Sequence, residues 1–160
     1  MALYNLSDFL TILPAGVRLL GLDPGSKRIG MALSDVNRMV ASPYATLVRA
    51  KMKQNAAEIA AIVAREGVGG LVVGLPLDGE QNLGPRAQAA RDWAHGISAA
   101  LSLPVTMVDE SFSTADTHER LIEAGLSRAR RAEIVDKLAA AEILQRALDA
   151  MQNAADRPHG

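Results

Sequence analysis

The chain has 160 residues and a formal net charge of −1, and 49% of its residues are apolar although only 3% are aromatic. This length suits one domain with its own core, and the balanced charge excludes a global positive field as the means of attracting nucleic acid. The absence of cysteine excludes disulfides, zinc–thiolate sites and thiol nucleophiles. Because alanine is abundant and favours helices, an α/β fold is expected rather than an all-β one.

Residues 1–16 are predicted to form an N-terminal extension that ends at Pro14-Ala15-Gly16 and contains a short amphipathic helix around Leu6–Leu13. The segment lacks the basic leader of a signal peptide. No apolar run of the chain approaches the roughly 20 residues that cross a bilayer. We therefore expect a cytoplasmic protein with no membrane partner.

Three strands are predicted to follow the extension and to form an antiparallel meander. The apolar run VRLLGLD (17–23) reaches an acid, and RIGMALSD (28–35) follows it after a Pro-Gly turn. A third strand lies in VASPYATLVR (40–49), where Pro43 limits it to a sheet edge or to a late start.

Helices and strands alternate in the second half of the chain. Helical spacing over 51–65 closes at Gly67, and the apolar run LVVGLP is typical of a strand covered on both faces. The remaining predicted elements are a helix from Pro85 to about Leu101, a strand at VTMV (105–108), a helix capped by Ser113 or Thr114 that stops near Gly125, and a last helix from Ser127 to about Asn153. This order predicts an α/β domain over 17–152 with a C-terminal tail (153–160). Its mixed five-stranded sheet joins the meander to parallel strands and carries helices on both faces.

Acids stand at the ends of two predicted buried strands, Asp23 after VRLLGL and Asp109-Glu110 after VTMV. Ligand sites in open α/β sheets lie outside the carboxyl ends of the strands. A single acid at such a position more often starts a turn or caps a helix. Two such positions in one small domain weaken that explanation and favour a shared site.

A third acid, Asp136, lies in the strongly apolar last helix. Four, seven and eleven residues after it stand Ala140, Ile143 and Ala147, so Asp136 shares a stripe of small apolar side chains. An acid on a packing face is costly unless it is paired or bound to metal. The sequence leaves three explanations open: a buried ion pair with Arg or Lys from elsewhere, a position at the exposed margin of the helix, or a metal ligand.

Three carboxylates at one sheet edge, Asp23, Glu110 and Asp136, with Asp109 as a fourth candidate, would suit Mg²⁺ or Mn²⁺. Two such ions can activate water and stabilise a leaving oxygen, so the hypothesis is metal-dependent phosphodiester hydrolysis in which Asp23 bridges the ions.

Basic residues near the predicted site are candidates for contact with nucleic-acid phosphates. Lys27 and Arg28 lie in the loop DPGSKRIG, and Arg86 lies in the first turn of a helix, where anions are favoured. The run Arg49, Lys51 and Lys53 is more typical of a solvated face, and Trp93 of a core position than of a base-stacking platform.

Four blocks, GLDPGSKRIGMALSD, VVGLPLDGE, VDESFSTADT and VDKLAAAEILQ, resemble in order and spacing the signature blocks of the YqgF/RuvX family over about residues 18–150. The resemblance implies an RNase H-like fold and a cytoplasmic bacterial nuclease that processes the 5′ end of pre-16S rRNA or resolves Holliday junctions. It implies that Asp23, Glu110 and Asp136 are the catalytic acids and that Asp109 supports them.

The same resemblance matches Ser113 and Thr114 to the Ser-Thr pair of the family, and Lys27 to a basic position in its first loop. Two departures stand out: Ser111 replaces a frequent Arg, and Asp78 replaces a frequent Asn. Ser111 puts in doubt any phosphate contact made from that position.

Three alternatives to an rRNA nuclease remain at this point. A resolvase of branched DNA on the same fold would need a dimer, and the sequence predicts a monomer or a weak homodimer. A catalytically silent nucleic-acid-binding module gains nothing from retained acids. Phosphotransferases that begin with a D-x-G loop need two such domains, and 160 residues supply one.

Overall fold

A computed structural model describes residues 3–76, 84–110 and 122–155 of the chain. Its elements are the strands β1 (Leu3–Tyr4), β2 (Arg18–Pro24), β3 (Arg28–Ser34), β4 (Ala41–Val48), β5 (Val68–Pro76) and β6 (Val105–Glu110), and the helices α1 (Leu6–Ile12), α2 (Met52–Glu66), α3 (Pro85–Leu101) and α4 (Arg128–Ala155). None of the helices within these ranges is long and apolar enough to cross a membrane.

The strands form one mixed sheet in the order β1-β6-β5-β2-β3-β4. β2, β3 and β4 pair antiparallel, as the meander predicts, whereas β5 pairs parallel with both β2 and β6. The carboxyl ends of β2, β5 and β6 therefore meet at one edge of the sheet. β4, which contains Pro43, is an edge strand as expected.

The sheet has six strands rather than the five predicted, because Leu3–Tyr4 adds to β6 as a parallel edge strand. Two residues carry no readable alternation, so the sequence pattern could not show this strand. The amphipathic helix expected around Leu6–Leu13 is present as α1, whose Phe9 is fully buried.

Helices cover both faces of the sheet, and each face has its own core. One core packs β2, β3 and β5 against α2 and α3 and includes Ile59, Trp93 and Ile97. The other packs the sheet against α1 and α4 and includes Phe9 and Leu144. Burial of each large aliphatic side chain contributes about 1.5–3 kcal/mol, so both layers of helices are held by ordinary hydrophobic packing.

Local signals set the helix boundaries close to the predicted positions. α2 ends at Gly67, which adopts a left-handed φ of 67° that glycine tolerates without cost. α3 begins with Pro85 in its first turn. The backbone N–H of Arg130 donates to the Ser127 hydroxyl at the start of α4. The helix expected from Ser113 or Thr114 begins outside the described residues.

Two glycines let α4 lie directly on the sheet. A Cβ atom at Gly21 of β2 would come within 2.8 Å of the Leu144 Cβ, and one at Gly30 of β3 would lie 2.0 Å from the Asp136 carbonyl oxygen. A non-glycine residue at position 30 is therefore incompatible with the position of α4. Because Gly30 pairs with Asp23 in the β2–β3 ladder, this contact also brings Asp136 beside Asp23.

We expect Gly30→Ala to destabilise the fold by about 3 kcal/mol, since α4 must move away from β3 to admit the methyl group. Urea unfolding followed by circular dichroism measures this loss. Gly96→Ala is the control, because a Cβ there meets only the end of the flexible Met52 side chain, at 3.0 Å. Equal stability of Gly30→Ala and wild type would show that α4 does not make this contact.

Candidate active site

A cleft of about 210 Å³ opens at the carboxyl end of β2, and Asp23, Arg86 and Asp136 line it together. Asp23 is the penultimate residue of β2, Arg86 belongs to the first turn of α3, and Asp136 lies near the start of α4. Asp23 and Asp136 are both half-buried. The structure thus brings together two of the three acids and one of the three basic residues predicted for the site.

The packing stripe predicted for Asp136 is present, since Ala140, Ile143 and Ala147 are at most 1% exposed. Asp136 itself lies at the solvent end of this stripe, where its carboxylate accepts a hydrogen bond from the Arg28 Nε at 2.7 Å. Their side chains are 33% (Arg28) and 29% (Asp136) exposed. Asp136 thus forms an ion pair with a residue 108 positions away, but at the partly exposed margin of the helix and not in the buried position that one explanation assumed.

Arg28 was predicted to contact phosphate, and in the structure it forms an ion pair with Asp136. One hydrogen bond uses one of the five N–H groups of a guanidinium. The same cation therefore balances the charge of Asp136 and retains donors for a second acceptor.

The two other predicted basic residues differ in their position relative to the cleft. Arg86 is exposed and lines the cleft directly, in the first turn of α3, where the helix dipole also favours an anion. Lys27 is exposed in the β2–β3 turn and does not line the cleft. Its backbone carbonyl accepts a hydrogen bond from the Arg49 N–H at 2.9 Å.

Asp109 and Glu110 are the last two residues of β6, and they differ in their position relative to the cleft. Val108 packs against the core beneath α4, so the pleat of the strand directs Asp109 to the opposite face. Asp109 is exposed and does not line the cleft. The backbone of Glu110 pairs with Pro76, a residue of the cleft wall. The Glu110 side chain, Ser113 and Thr114 lie outside the described part of the structure.

The donor set of the cleft fits a hard divalent cation in its chemistry. Asp23 and Asp136 provide carboxylate oxygens, the ligands that Mg²⁺ and Mn²⁺ prefer. Within residues 3–76, 84–110 and 122–155, no three His, Cys, Asp or Glu side chains gather as a metal site. Two carboxylates, those of Asp23 and Asp136, are thus in place in the described part of the cleft.

Arg49 is a candidate functional residue that sequence analysis assigned to a solvated face with Lys51 and Lys53. It is half-buried and lines a second cavity beside the cleft, together with Trp93. The position of Arg49 could have been predicted from the meander, because the end of the third strand pairs beside the turn between the first two strands. Trp93 is a core residue as expected, at 7% exposure.

The sequence of the chain is similar to those of known proteins over most of its length. Residues 17–150 match the family described as "RuvX: Holliday junction resolvase". A protein of Gluconacetobacter diazotrophicus is 54% identical over 94% of this chain and 98% of its own length. One of Acidiphilium cryptum is 52% identical over 93% of this chain and 94% of its own. Both carry the name "Putative pre-16S rRNA nuclease".

Among solved structures, RuvC of T. thermophilus in complex with a Holliday junction substrate is similar with a TM-score of 0.52. The two sequences are 18% identical, and the similarity covers 86% of this chain and 96% of that chain. This similarity confirms the predicted RNase H-like fold.

Substitution of Arg28 by Gln should lower the free energy of unfolding by less than about 1 kcal/mol, because the ion pair with Asp136 is partly exposed. A divalent cation should raise the melting temperature of this variant more than that of wild type, because in the variant the cation no longer competes with the Arg28 guanidinium for the Asp136 carboxylate. Thermal melts with and without Mn²⁺ measure both effects.

Arg130→Gln is the matched control, since it removes an exposed ion pair with Glu133 on the same helix. If Mn²⁺ stabilised Arg28→Gln no more than Arg130→Gln, Arg28 and the cation would not compete for Asp136.

Proposed function

The chain belongs to the RuvX family of nucleases, and we propose that it uses divalent metal to process the 5′ end of pre-16S rRNA. The observation that carries the proposal is the meeting of Asp23, Asp136 and Arg86, from three separate elements, in one cleft at the carboxyl end of the sheet. The choice of rRNA is supported by the names of relatives that are about half identical over nearly the whole chain. Such a substrate agrees with the cytoplasmic location that the sequence predicts.

Asp23 and Asp136 are the residues that would hold Mg²⁺ or Mn²⁺, and Asp23 is the proposed ligand for a second ion as well. Glu110 is proposed as the third catalytic acid, because Asp109 faces the opposite side of β6 whereas the Glu110 backbone adjoins the cleft wall at Pro76. A metal ion held by these acids would supply an activated water and stabilise the departing oxygen of the phosphodiester.

Basic groups of the chain orient the substrate phosphate toward these acids. Arg86 offers its guanidinium from the first turn of α3, where the positive end of the helix adds to the attraction of an anion. Lys27, exposed in the β2–β3 turn, is suited to a neighbouring phosphate of the same strand. Arg28 balances the charge of Asp136 and keeps further N–H groups that could contact the backbone of the substrate. Ser113 and Thr114 remain candidate contacts through the family resemblance alone.

Resolution of branched DNA is the second candidate function, and it is favoured by the description of the family as Holliday junction resolvases. Symmetric cleavage of a junction needs two active sites, and thus a homodimer of this chain. Processing of one rRNA end needs a single site, which a monomer provides.

Asp23→Asn should reduce RNA cleavage in Mg²⁺ or Mn²⁺ by at least about 100-fold, because the amide oxygen carries no charge to hold the metal. Binding of RNA in EDTA should be largely retained. Cleavage of a 5′-labelled precursor fragment on denaturing gels measures the first effect, and fluorescence anisotropy the second. Asp92→Asn, on the exposed surface of α3, is the matched control. Cleavage by Asp23→Asn at the wild-type rate would place the active site elsewhere.

The same assay separates the candidate functions when a four-way DNA junction replaces the RNA. We expect the precursor RNA to be cut and the intact junction to be cut far more slowly or not at all. Faster symmetric cleavage of the junction would favour the resolvase. Persistent RNA binding without cleavage of either substrate by clean wild-type protein would favour a silent binding module.

A further inference from the structure

A second cavity, of about 430 Å³, adjoins the carboxylate cleft. The two share Pro24, Gly25, Pro76 and Arg86 as a common wall. A polynucleotide whose phosphate lies at Asp23 and Asp136 would therefore have an adjacent nucleotide at the opening of this cavity. Its volume is within the range of small-molecule sites, which begins at about 300 Å³.

Two guanidinium groups, those of Arg49 and Arg86, make the cavity positive. The Arg49 Nη1 donates to the Gly25 carbonyl at 2.8 Å, which fixes the guanidinium at the rim and leaves its other N–H groups for a ligand. No described residue in the lining of this cavity is acidic. A planar guanidinium is the group best suited to hold a phosphate through two hydrogen bonds.

The opposite wall is apolar and includes Trp93, Ala90 and Pro24. The indole of Trp93 is 7% exposed and belongs to the core between α2, α3 and the sheet, so its position is fixed before any ligand binds. Trp93 lines the cavity from a ring held by the core, and an apolar wall beside a positive rim matches the needs of a nucleotide, which has a flat base and an anionic phosphate.

We propose that this cavity binds one unpaired nucleotide of the substrate strand, with its phosphate between Arg49 and Arg86 and its base against Trp93. A single nucleotide matches the volume, whereas a base pair with its second strand does not. The chain thereby selects single-stranded nucleic acid at the position next to the scissile phosphate. The position relative to the scissile bond rests on the proposed nuclease function, but binding of the nucleotide does not.

Trp93 is the only tryptophan of the chain, so its fluorescence reports directly on this cavity. The probe is a single-stranded RNA of about ten nucleotides, compared with the same RNA annealed to its complement, both in EDTA so that no cleavage occurs. We expect the single strand to quench Trp93 fluorescence with saturation, and the duplex to leave it nearly unchanged. Unchanged fluorescence with RNA that anisotropy shows to be bound would overturn the proposal.

Arg49→Gln should weaken binding of the single strand about tenfold, the loss expected for one charge-assisted hydrogen bond. Lys53→Gln removes an exposed charge from the nearby helix α2 and should change the affinity little. Equal losses in the two variants would show that Arg49 acts only through general charge and would contradict a specific site.

Arg49→Gln also removes the hydrogen bond to the Gly25 carbonyl and so could change the shape of the cavity. A second measurement therefore uses the wild-type protein and alters the RNA instead. Abasic sites are placed one at a time along the single strand, and one position should abolish the quenching of Trp93 by wild type. If every abasic strand quenched Trp93 as the intact strand does, no base would occupy the cavity. Both measurements are made in EDTA and detect binding without cleavage. Their outcome is therefore independent of whether Asp23→Asn abolishes cleavage.

Discussion

Helix α4 lies on strand β3 with its backbone so close at Gly30 that a methyl group in that place would overlap the Asp136 carbonyl oxygen. Gly30 is the ladder partner of Asp23, so one steric contact sets the distance between two acids that are far apart in the sequence. The packing of Leu144 on Gly21, farther along the helix, fixes its direction across β2. The geometry of the cleft is therefore a consequence of backbone packing, and the acids themselves contribute little to it.

Two carboxylates that line one cleft repel each other, and the chain offsets this repulsion with cations of its own. Arg28 donates to Asp136 at 2.7 Å, and Arg86 lines the same cleft from α3. Arg28 and Arg86 thus place positive charge from two different elements beside the two acids of the cleft.

Sequence patterns predicted the elements well because the signals are local. Alternation and apolar runs mark β2, β3 and β5, and Pro85, Gly67 and Ser127 mark helix ends. The spacing of apolar residues also identified Asp136 as an acid on a packing stripe. What the sequence could not show depends on contacts between distant segments. The partner of Asp136 lies 108 residues away, and Arg49 reaches its cavity only because β4 returns to the β2–β3 turn. The two-residue β1 is recognisable only by its pairing with β6.

The place of α4 at the end of the element order has a consequence for how activity develops during folding. The core on its side of the sheet, with Leu19, Ala32 and Val72, is incomplete until this helix docks. Asp136 reaches Asp23 in the same step. A chain that is still emerging or has opened locally thus holds one of these acids in place and lacks the other. Completion of this core and the meeting of the two proposed catalytic acids are then a single cooperative event, so a partly folded copy of the chain would lack the assembled cleft.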